Sequence, residues 1–334
     1  MANLSFEIER EAMSFHIRPF TPGDYAALLA ISRVIYPDYV ATEDELRYWD
    51  EHRDSTHQFQ RWVAEQHEHV VGIAYHSQSM DNYHPRKFWL DITVHPDAQR
   101  QGIGSALYEQ AVQSVKQYDP LSLRARMRED MLPGIHFLQA RGFQDVWREW
   151  ESRLDVTTFD PSPYHELEAK LREQGIEIKT LKELESDPEC YRKLHEMENE
   201  VARDIPSLDD VTTPLGFEQY MDLFINNPQS LPELHFVAVH HGAYVGTAGL
   251  WKSDAETDLV NNLTGVKRAY RHRGIALALK LRCIDSARAY GGSTIKTWND
   301  SPNAAMIAIN QQLGFVRKIG WIIMLKDFER ESNA

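Results

Sequence analysis

The stretch Gln99-Arg100-Gln101-Gly102-Ile103-Gly104 returns 172 positions later as Arg271-His272-Arg273-Gly274-Ile275-Ala276. Each copy is followed, 40 residues after its leading glycine, by a Gly-Phe pair, Gly142-Phe143 and Gly314-Phe315. The same offset lays Val94 on Val266, and Ile103, Leu107, Ala111 and Val115 on Ile275, Leu279, Cys283 and Ala287. Those apolar positions carry the spacing of one helix face, so the repeated unit is a strand end, a glycine turn and an amphipathic helix. One such hexad is weak evidence, because glycine is common. Two registered copies point to internal duplication. A glycine turn that opens a helix leaves free N–H groups at the positive end of the helix dipole, so each copy is a candidate phosphate cradle.

The order of elements around each turn agrees. In the first half, strands are expected at His16 to Phe20, Gln58 to Glu65, Val70 to Ser77, Phe88 to Val94, Leu121 to Met127 and Val146 to Leu154. Helices are expected at Pro22 to Ile35, Thr42 to His52, Ile103 to Gln117 and Gly134 to Arg141, with a polar turn at His67-Glu68-His69. The second half repeats that order, with strands at Glu177 to Leu181, Leu259 to Val266, Thr294 to Trp298 and Val316 to Lys326, and a hairpin through His240-His241-Gly242. Its helices are Cys190 to Ala202, Phe217 to Asn226, Ile275 to Tyr290 and Ala304 to Leu313. Between the halves, the proline-rich run Phe159-Asp160-Pro161-Ser162-Pro163 favours neither helix nor central strand. The domains are therefore drawn as 1–157 and 166–334, with a linker at 158–165.

Composition bounds the function. A chain of 334 residues with 42% hydrophobic residues is long enough for two cores. No apolar run reaches the ~20 residues of a membrane helix, and Met1 to Arg10 is polar and acidic rather than a signal peptide, so a cytoplasmic protein is expected. The two cysteines, Cys190 and Cys283, fall one per half within helical patterns and read as core residues, too few for a disulfide framework or a cysteine zinc site. A net charge of -14 speaks against a nucleic-acid partner and suits a cationic small substrate. The histidine pairs His67/His69 and His240/His241 sit at turns and are not read as metal ligands.

With this element order, Val94-His95-Pro96-Asp97-Ala98-Gln99-Arg100-Gln101-Gly102-Ile103-Gly104 and its partner from Val266 to Ala276 resemble the GNAT superfamily of N-acetyltransferases. The resemblance covers nearly the whole chain twice, in a layout similar to that of mycothiol synthase. It implies an α/β (α+β) chain of two tandem folds, each a mixed, mostly antiparallel sheet flanked by helices. It also implies acetyl-CoA as cosubstrate, with pyrophosphate on the loops and pantetheine along the strand before each loop. In the first half the residues concerned are Val94, Gln99, Arg100, Gln101, Gly102, Ile103 and Gly104. In the second they are Val266, Arg271, Arg273, Gly274, Ile275 and Ala276. The residues themselves suit that role, since Gly102, Gly104 and Gly274 permit close backbone approach and Arg100, Arg271 and Arg273 add cationic donors.

The halves differ beyond the loop. Asn299 and Asn303 in the second half resemble the family's amide-bearing segment that contacts the pantetheine and phosphate arm, whereas the offset puts Met127 and Met131 in the first. Methionine cannot supply an amide's donor and acceptor, so the second half is expected to be the better acyl-CoA site and the likelier catalytic half. The other reading makes both asparagines turn and cap residues. Many family members carry a Tyr five residues before the Phe of the terminal Gly-Phe, as the acid that protonates the leaving sulfur. Here Leu138 and Asn310 stand there. A thiol with pKa near 8.5 leaves as thiolate close to neutral pH, so the loss slows the reaction without forbidding it; Asn310 is either a hydrogen-bond donor to the sulfur or a plain helix residue. For the base that takes the amine proton, the first half offers Asp91 and the second, with Leu263 in that register, offers Glu198 among Glu196, Glu200 and Asp258.

The expected activity is acetyl transfer from acetyl-CoA to a primary amine of a small-molecule acceptor, by direct attack in a ternary complex, by a monomer or homodimer. Beside it stand a version with both halves active, or the first active through Asp91, a non-catalytic acetyl-CoA sensor, and a structural tandem scaffold. The early helices, with His52 in one half and Glu196 to Asp210 in the other, are expected to read the acceptor.

Overall fold

The computed structural model describes residues 15–39, 41–80, 82–209, 213–253 and 257–328. The polar start of the chain and Asp210, both used above, lie outside them. Twelve strands are described: β1 (His16–Pro19), β2 (Phe59–Gln66), β3 (His69–Ser77), β4 (Lys87–Val94), β5 (Ser122–Arg128), β6 (Gln144–Asp155), β7 (Ile176–Thr180), β8 (Ser230–His240), β9 (Ala243–Lys252), β10 (Asp258–Val266), β11 (Thr294–Asp300) and β12 (Val316–Asp327). Two compact units contain them. Of the described residues, one holds those within 15–127, 131–146 and 323–328, and the other those within 128–130 and 147–322.

In the first unit the strand order is β1-β2-β3-β4-β5, followed by the end of β12. The β2–β3 hairpin closes on His67 and Glu68, both in left-handed backbone at φ 50° and 63°, which matches a two-residue turn to the twist of its strands. β4 runs antiparallel to β3 and parallel to β5. The parallel pairing is short: Lys87, Phe88 and Trp89 face Ser122, Leu123 and Arg124, and beyond them no further pairing holds the two strands together. That parting opens a groove. The helix Ile103–Val115 covers β3 and β4 with Ile103, Leu107, Ala111 and Val115 buried, the four positions the repeat singled out. Gly72 on β3 lets it approach, since a Cβ there would stand 3.1 Å from Ile103 Cγ2 and from Leu107 Cδ1. Elsewhere in this unit, the helix Glu43–Glu51 starts at Thr42, whose hydroxyl accepts from Glu45 N while Glu45 accepts from Thr42 N.

The second unit orders its strands β12 (residues 316–322)-β6-β11-β10-β9-β8-β7, and from β6 onward all neighbours are antiparallel except β10 and β11. The residues of β6 from Trp147 to Asp155 belong here, and Glu149 to Asp155 pair with β11. One face is covered by the helix Ile275–Tyr290 with Leu313 and Phe315, the other by Cys190–Ala202 with Tyr220 in the same cluster. Cys190 and Cys283 are both buried free thiols, one on each face. The expected helix at Phe217 to Asn226 is an α-turn, Phe217–Tyr220, continued by a π-helical turn, Met221–Ile225. The segment between the halves is more ordered than its prolines suggest. A 3-10 turn at Ser162–Tyr164 leads into a helix, Leu167–Glu173, that buries Leu171. No helix among the described residues is long and apolar enough to cross a membrane.

Candidate functional site

Both glycine loops adopt one backbone conformation. In the first, β4 ends at Val94, Gln99 Nε2 donates to Val94 O at 3.0 Å, Arg100 takes φ 63° and Gly102 φ 86°. In the second, Arg271 Nε donates to Val266 O at 3.0 Å, His272 takes φ 63° and Gly274 φ 85°. Each helix then starts on a left-handed glycine with no capping side chain. The first intrahelical bonds are Ala106 N to Gly102 O and Ala278 N to Gly274 O, both 3.0 Å, so the N–H groups of the three residues between have no partner within the helix. Left-handed glycine lets the chain turn sharply enough to aim those donors outward together.

The surroundings of the two loops differ. A Cβ on Gly102 would meet nothing within 4 Å, whereas one on Gly274 would stand 2.8 Å from Leu167 Cδ1. In front of the first loop lies a cavity of about 320 Å³, where β4 and β5 part. Its walls include Val94, Gln99, Arg100, Gly102, Gly104 and Ser105 from the loop, Asp91 from β4, Ala125 and Met127 from β5, and Phe137 and Leu138 from the helix Leu132–Gln139. Arg100 is exposed and makes no ion pair among the described residues. Gln101 braces the turn: its amide donates to Asp97 O at 3.2 Å and its oxygen accepts from Gln66 at 3.1 Å, while the Ile103 side chain is buried under the loop.

Asp91 stands in the cavity wall, directly across from Tyr75 in the β3–β4 register. Burial raises its carboxyl above the ordinary range, tempered by a hydrogen bond from Thr93 Oγ1 at 3.0 Å and by the charge of Arg61. The Tyr75 hydroxyl is pushed up by burial and by the same carboxylate. An aspartate so placed holds its proton more readily than one in water, and it faces a cavity from which a proton can be exchanged. Three features at this site escape the sequence reading. Tyr36, at the end of the helix Tyr25–Ile35, is the only tyrosine among the described residues lining the cavity. Arg126 lies beside Met127. Arg141 donates to Ser105 Oγ at 2.8 Å over the face of Phe137, bringing a second guanidinium to the loop. Its place just before Gly142-Phe143 was the available signal.

The second-half residues engage each other. Asn310 is buried and donates from Nδ2 to Asn299 Oδ1 at 2.6 Å, leaving its own Oδ1 buried without a partner. Asn303 caps the helix Ala304–Gln312, accepting from Met306 N at 3.3 Å. Glu198 accepts from Tyr220 OH at 2.8 Å and Thr247 Oγ1 at 3.1 Å, with His235 Nε2 3.3 Å away. Glu200 pairs with Lys267 and Asp258 with Lys296. Arg273 donates to Ala269 O at 3.3 Å and lies over the Tyr270 ring. Val266 and Ile275 are buried, and Ala276 packs against that core. No group of three His, Cys, Asp or Glu suited to a metal ion occurs among the described residues.

An acyl-CoA needs a pyrophosphate cradle continuous with a narrow apolar channel. The first loop fits: it has outward N–H groups, Arg100 and Arg141 beside them, and walls of Ile92, Met127, Phe137 and Leu138 beyond. The second loop has the backbone for it but carries Leu167 over its glycine.

Comparison with known proteins bears on this geometry. The profile of the family described as Acetyltransferase (GNAT) family matches residues 25–143 and again 191–315. No curated protein matches the chain in sequence. Among solved structures, the chain is similar to a tandem GNAT protein from the clavulanic acid biosynthesis pathway, at 18% identity and TM-score 0.73 over 94% of this chain and 98% of that one. It is also similar to a GCN5-related N-acetyltransferase from Sphaerobacter thermophilus, at 18% identity and TM-score 0.68 over 94% and 95%. A third likeness is to a GCN5-related glucosamine N-acetyltransferase region in a fungal multi-domain GH3 β-N-acetylglucosaminidase, at 13% identity and TM-score 0.71 over 94% of this chain and 38% of that one. At these identities the likeness is one of fold.

Proposed function

Because the chain belongs to the acetyltransferase (GNAT) family, whose acyl donor is acetyl-CoA, we propose that it moves an acetyl group to a primary amine of a small-molecule acceptor in a ternary complex, and that the first half does so. The observation that carries this is the cavity at Gly102: it is open, continuous with the parting of β4 and β5, and has a half-buried carboxyl group in its wall. The asparagines that favour the second half in sequence are engaged there in a helix cap and in an amide pair.

The roles follow from position. The unpartnered N–H groups from Ile103 to Ser105 hold the donor's phosphates, with Arg100 and Arg141 adding charge. The edge of β4 beyond Trp89, no longer paired with β5, offers backbone donors where negative charge develops on the carbonyl oxygen. Asp91 takes the proton from the attacking amine. Tyr36 returns one to the leaving sulfur, in place of the tyrosine that Leu138 replaces. The acetyl–sulfur bond breaks as the new amide bond forms, and one proton passes from nitrogen to sulfur through the two side chains.

The test is release of free CoA from acetyl-CoA across a panel of primary amines, comparing the whole chain with Arg100→Glu and Arg273→Glu. Turnover lost in the first variant and kept in the second supports the assignment; the reverse pattern returns catalysis to the second half. The family's acid position is Leu138, which gives a second reading its footing: an acetyl-CoA-binding module without chemistry. Binding without turnover over the whole panel would favour it.

A further inference from the structure

The second glycine loop has the backbone of the first, yet the chain itself sits on it. Leu167 Cδ1 is so close to Gly274 that even a methyl group there would meet it at 2.8 Å. The segment bearing Leu167 is fastened on both sides. Arg288 donates to Phe159 O at 2.7 Å and to Val156 O, Tyr164 OH donates to Gln312 O at 3.0 Å, and Arg282 Nη2 donates to Glu168 at 2.7 Å. Phe159, Tyr164 and Leu167 pack on the core that also takes Ala276 from the helix Ile275–Tyr290 and Ile309 from the helix Ala304–Gln312.

The cationic side of the loop is answered as well. Asp204, mostly buried at the end of the helix Cys190–Ala202, accepts from Arg268 Nε at 2.9 Å and from the Arg271 guanidinium. The hydrogen bond from Arg268 holds its carboxyl below the ordinary range. Deeper in, where β10 and β11 part, Lys280 donates to Asn261 Oδ1 at 2.6 Å and Thr297 Oγ1 to Asn261 O at 3.3 Å, all three residues buried. The first half has Tyr108, Trp89 and Ala125 at the matching positions. The second loop thus has apolar cover over its glycine, an internal carboxylate on its arginine and a polar stitch where the strands beside it part.

We propose that residues 159–173 act as an intramolecular strap on the second loop, with Leu167 over its glycine and Asp204 as its internal anion, so that the chain binds one acyl-CoA, in the first half. This rests on the donor site proposed above for the first half. Lifting the strap should uncover a second, weaker site for a CoA-type pyrophosphate, because the Gly274 turn still presents its N–H groups.

Calorimetry of the whole chain with CoA tests this. One equivalent is expected, weakened at least tenfold by Arg100→Glu and unmoved by Arg273→Glu. The double variant Leu167→Ser/Asp204→Ala, folded by circular dichroism, should bind two equivalents, the second displaced by 3′,5′-ADP. Two equivalents for the unaltered chain overturn the strap. So do one equivalent lost only with Arg273→Glu, and a folded double variant that stays at one. Where the unaltered chain binds none, the functional reading fails instead, and a gain of one equivalent in the double variant would still support the strap.

Discussion

Asp91 and Lys280 are both ionisable groups placed where water is scarce, and they respond to it in opposite ways. The Asp91 carboxyl is raised by burial yet keeps a hydroxyl donor and faces a cavity, so it can exchange a proton with something that enters. Asp91→Asn is expected to lower kcat by about 10²–10³ while leaving acetyl-CoA affinity within a few fold. The pH profile separates base from scaffold: the unaltered chain should lose activity as pH falls through a value above the ordinary aspartate range, and the variant should show no such limb. Lys280 is sealed in the second unit's core, and burial pushes its ammonium down to about 8 from 10.5. Between those values the unfolded chain holds a proton that the folded chain has released, so stability rises with pH across that window, by about 3 kcal/mol. Lys280→Met should remove that rise and stabilise the chain at pH 7 by about 1–3 kcal/mol, measured by urea unfolding at pH 7 and pH 10. Asp91 was legible in sequence because it interrupts an apolar strand just before the loop. Tyr36, which lines the cavity, and Arg141, which binds Ser105 in its wall, were not, since each comes from a segment whose approach no local pattern encodes. Asn303 and Asn310 show the converse: an amide reads the same in sequence whether it meets a ligand, a helix end or another amide.

Helices over glycines set how closely each cradle can be held. On β3, a methyl group added at Gly72 would meet side-chain atoms, Ile103 Cγ2 and Leu107 Cδ1 at 3.1 Å and Val94 Cγ2 at 3.4 Å. On β9, one added at Gly246 would meet backbone, with Gly265 O at 3.0 Å, as well as Val266 and Ile275. Side chains can shift by rotamer, but a carbonyl within a paired strand cannot. Gly72→Ala is therefore expected to cost about 1–3 kcal/mol and to weaken acetyl-CoA binding by moving the helix Ile103–Val115, whereas Gly246→Ala should cost more. Denaturant midpoints read the order, and a costlier Gly72→Ala would contradict it. At this scale most elements were legible, because helix and strand periods are strong over ten residues, as in Cys190–Ala202 and Ile275–Tyr290. The helix Leu167–Glu173 was not drawn. Its pattern holds only the pair Leu167 and Leu171, one turn apart, and the prolines before it argued for a loop.

For the molecule as a whole, the 172-residue offset made the duplication legible but gave no view of how strand ends are shared out. Alternation of apolar and polar residues says which face of a strand is buried and nothing about which strand lies beside it. The first unit needs residues 323–328: Ile323 and Met324 are buried, Phe328 N donates to Leu121 O at 2.9 Å, and Lys326 Nζ donates to Arg141 O at 3.0 Å. A fragment ending at residue 157 lacks them and would leave β5 as an open edge beside the cavity, with Leu123 and Ala125 short of cover. Expressed alone, fragment 1–157 is expected to be aggregated or loosely packed, with no sharp thermal transition and no measurable acetyl-CoA binding. Joined through a flexible linker to residues 316–328, the same fragment should recover a cooperative transition and bind acetyl-CoA within about tenfold of the whole chain, since β5 then regains its neighbour. A cooperative, acetyl-CoA-binding fragment 1–157 without the added strand would mean that the shared strand end is not needed to build the cavity. The pair of fragments therefore tests whether the duplicated halves still fold as two domains or now depend on each other's sequence.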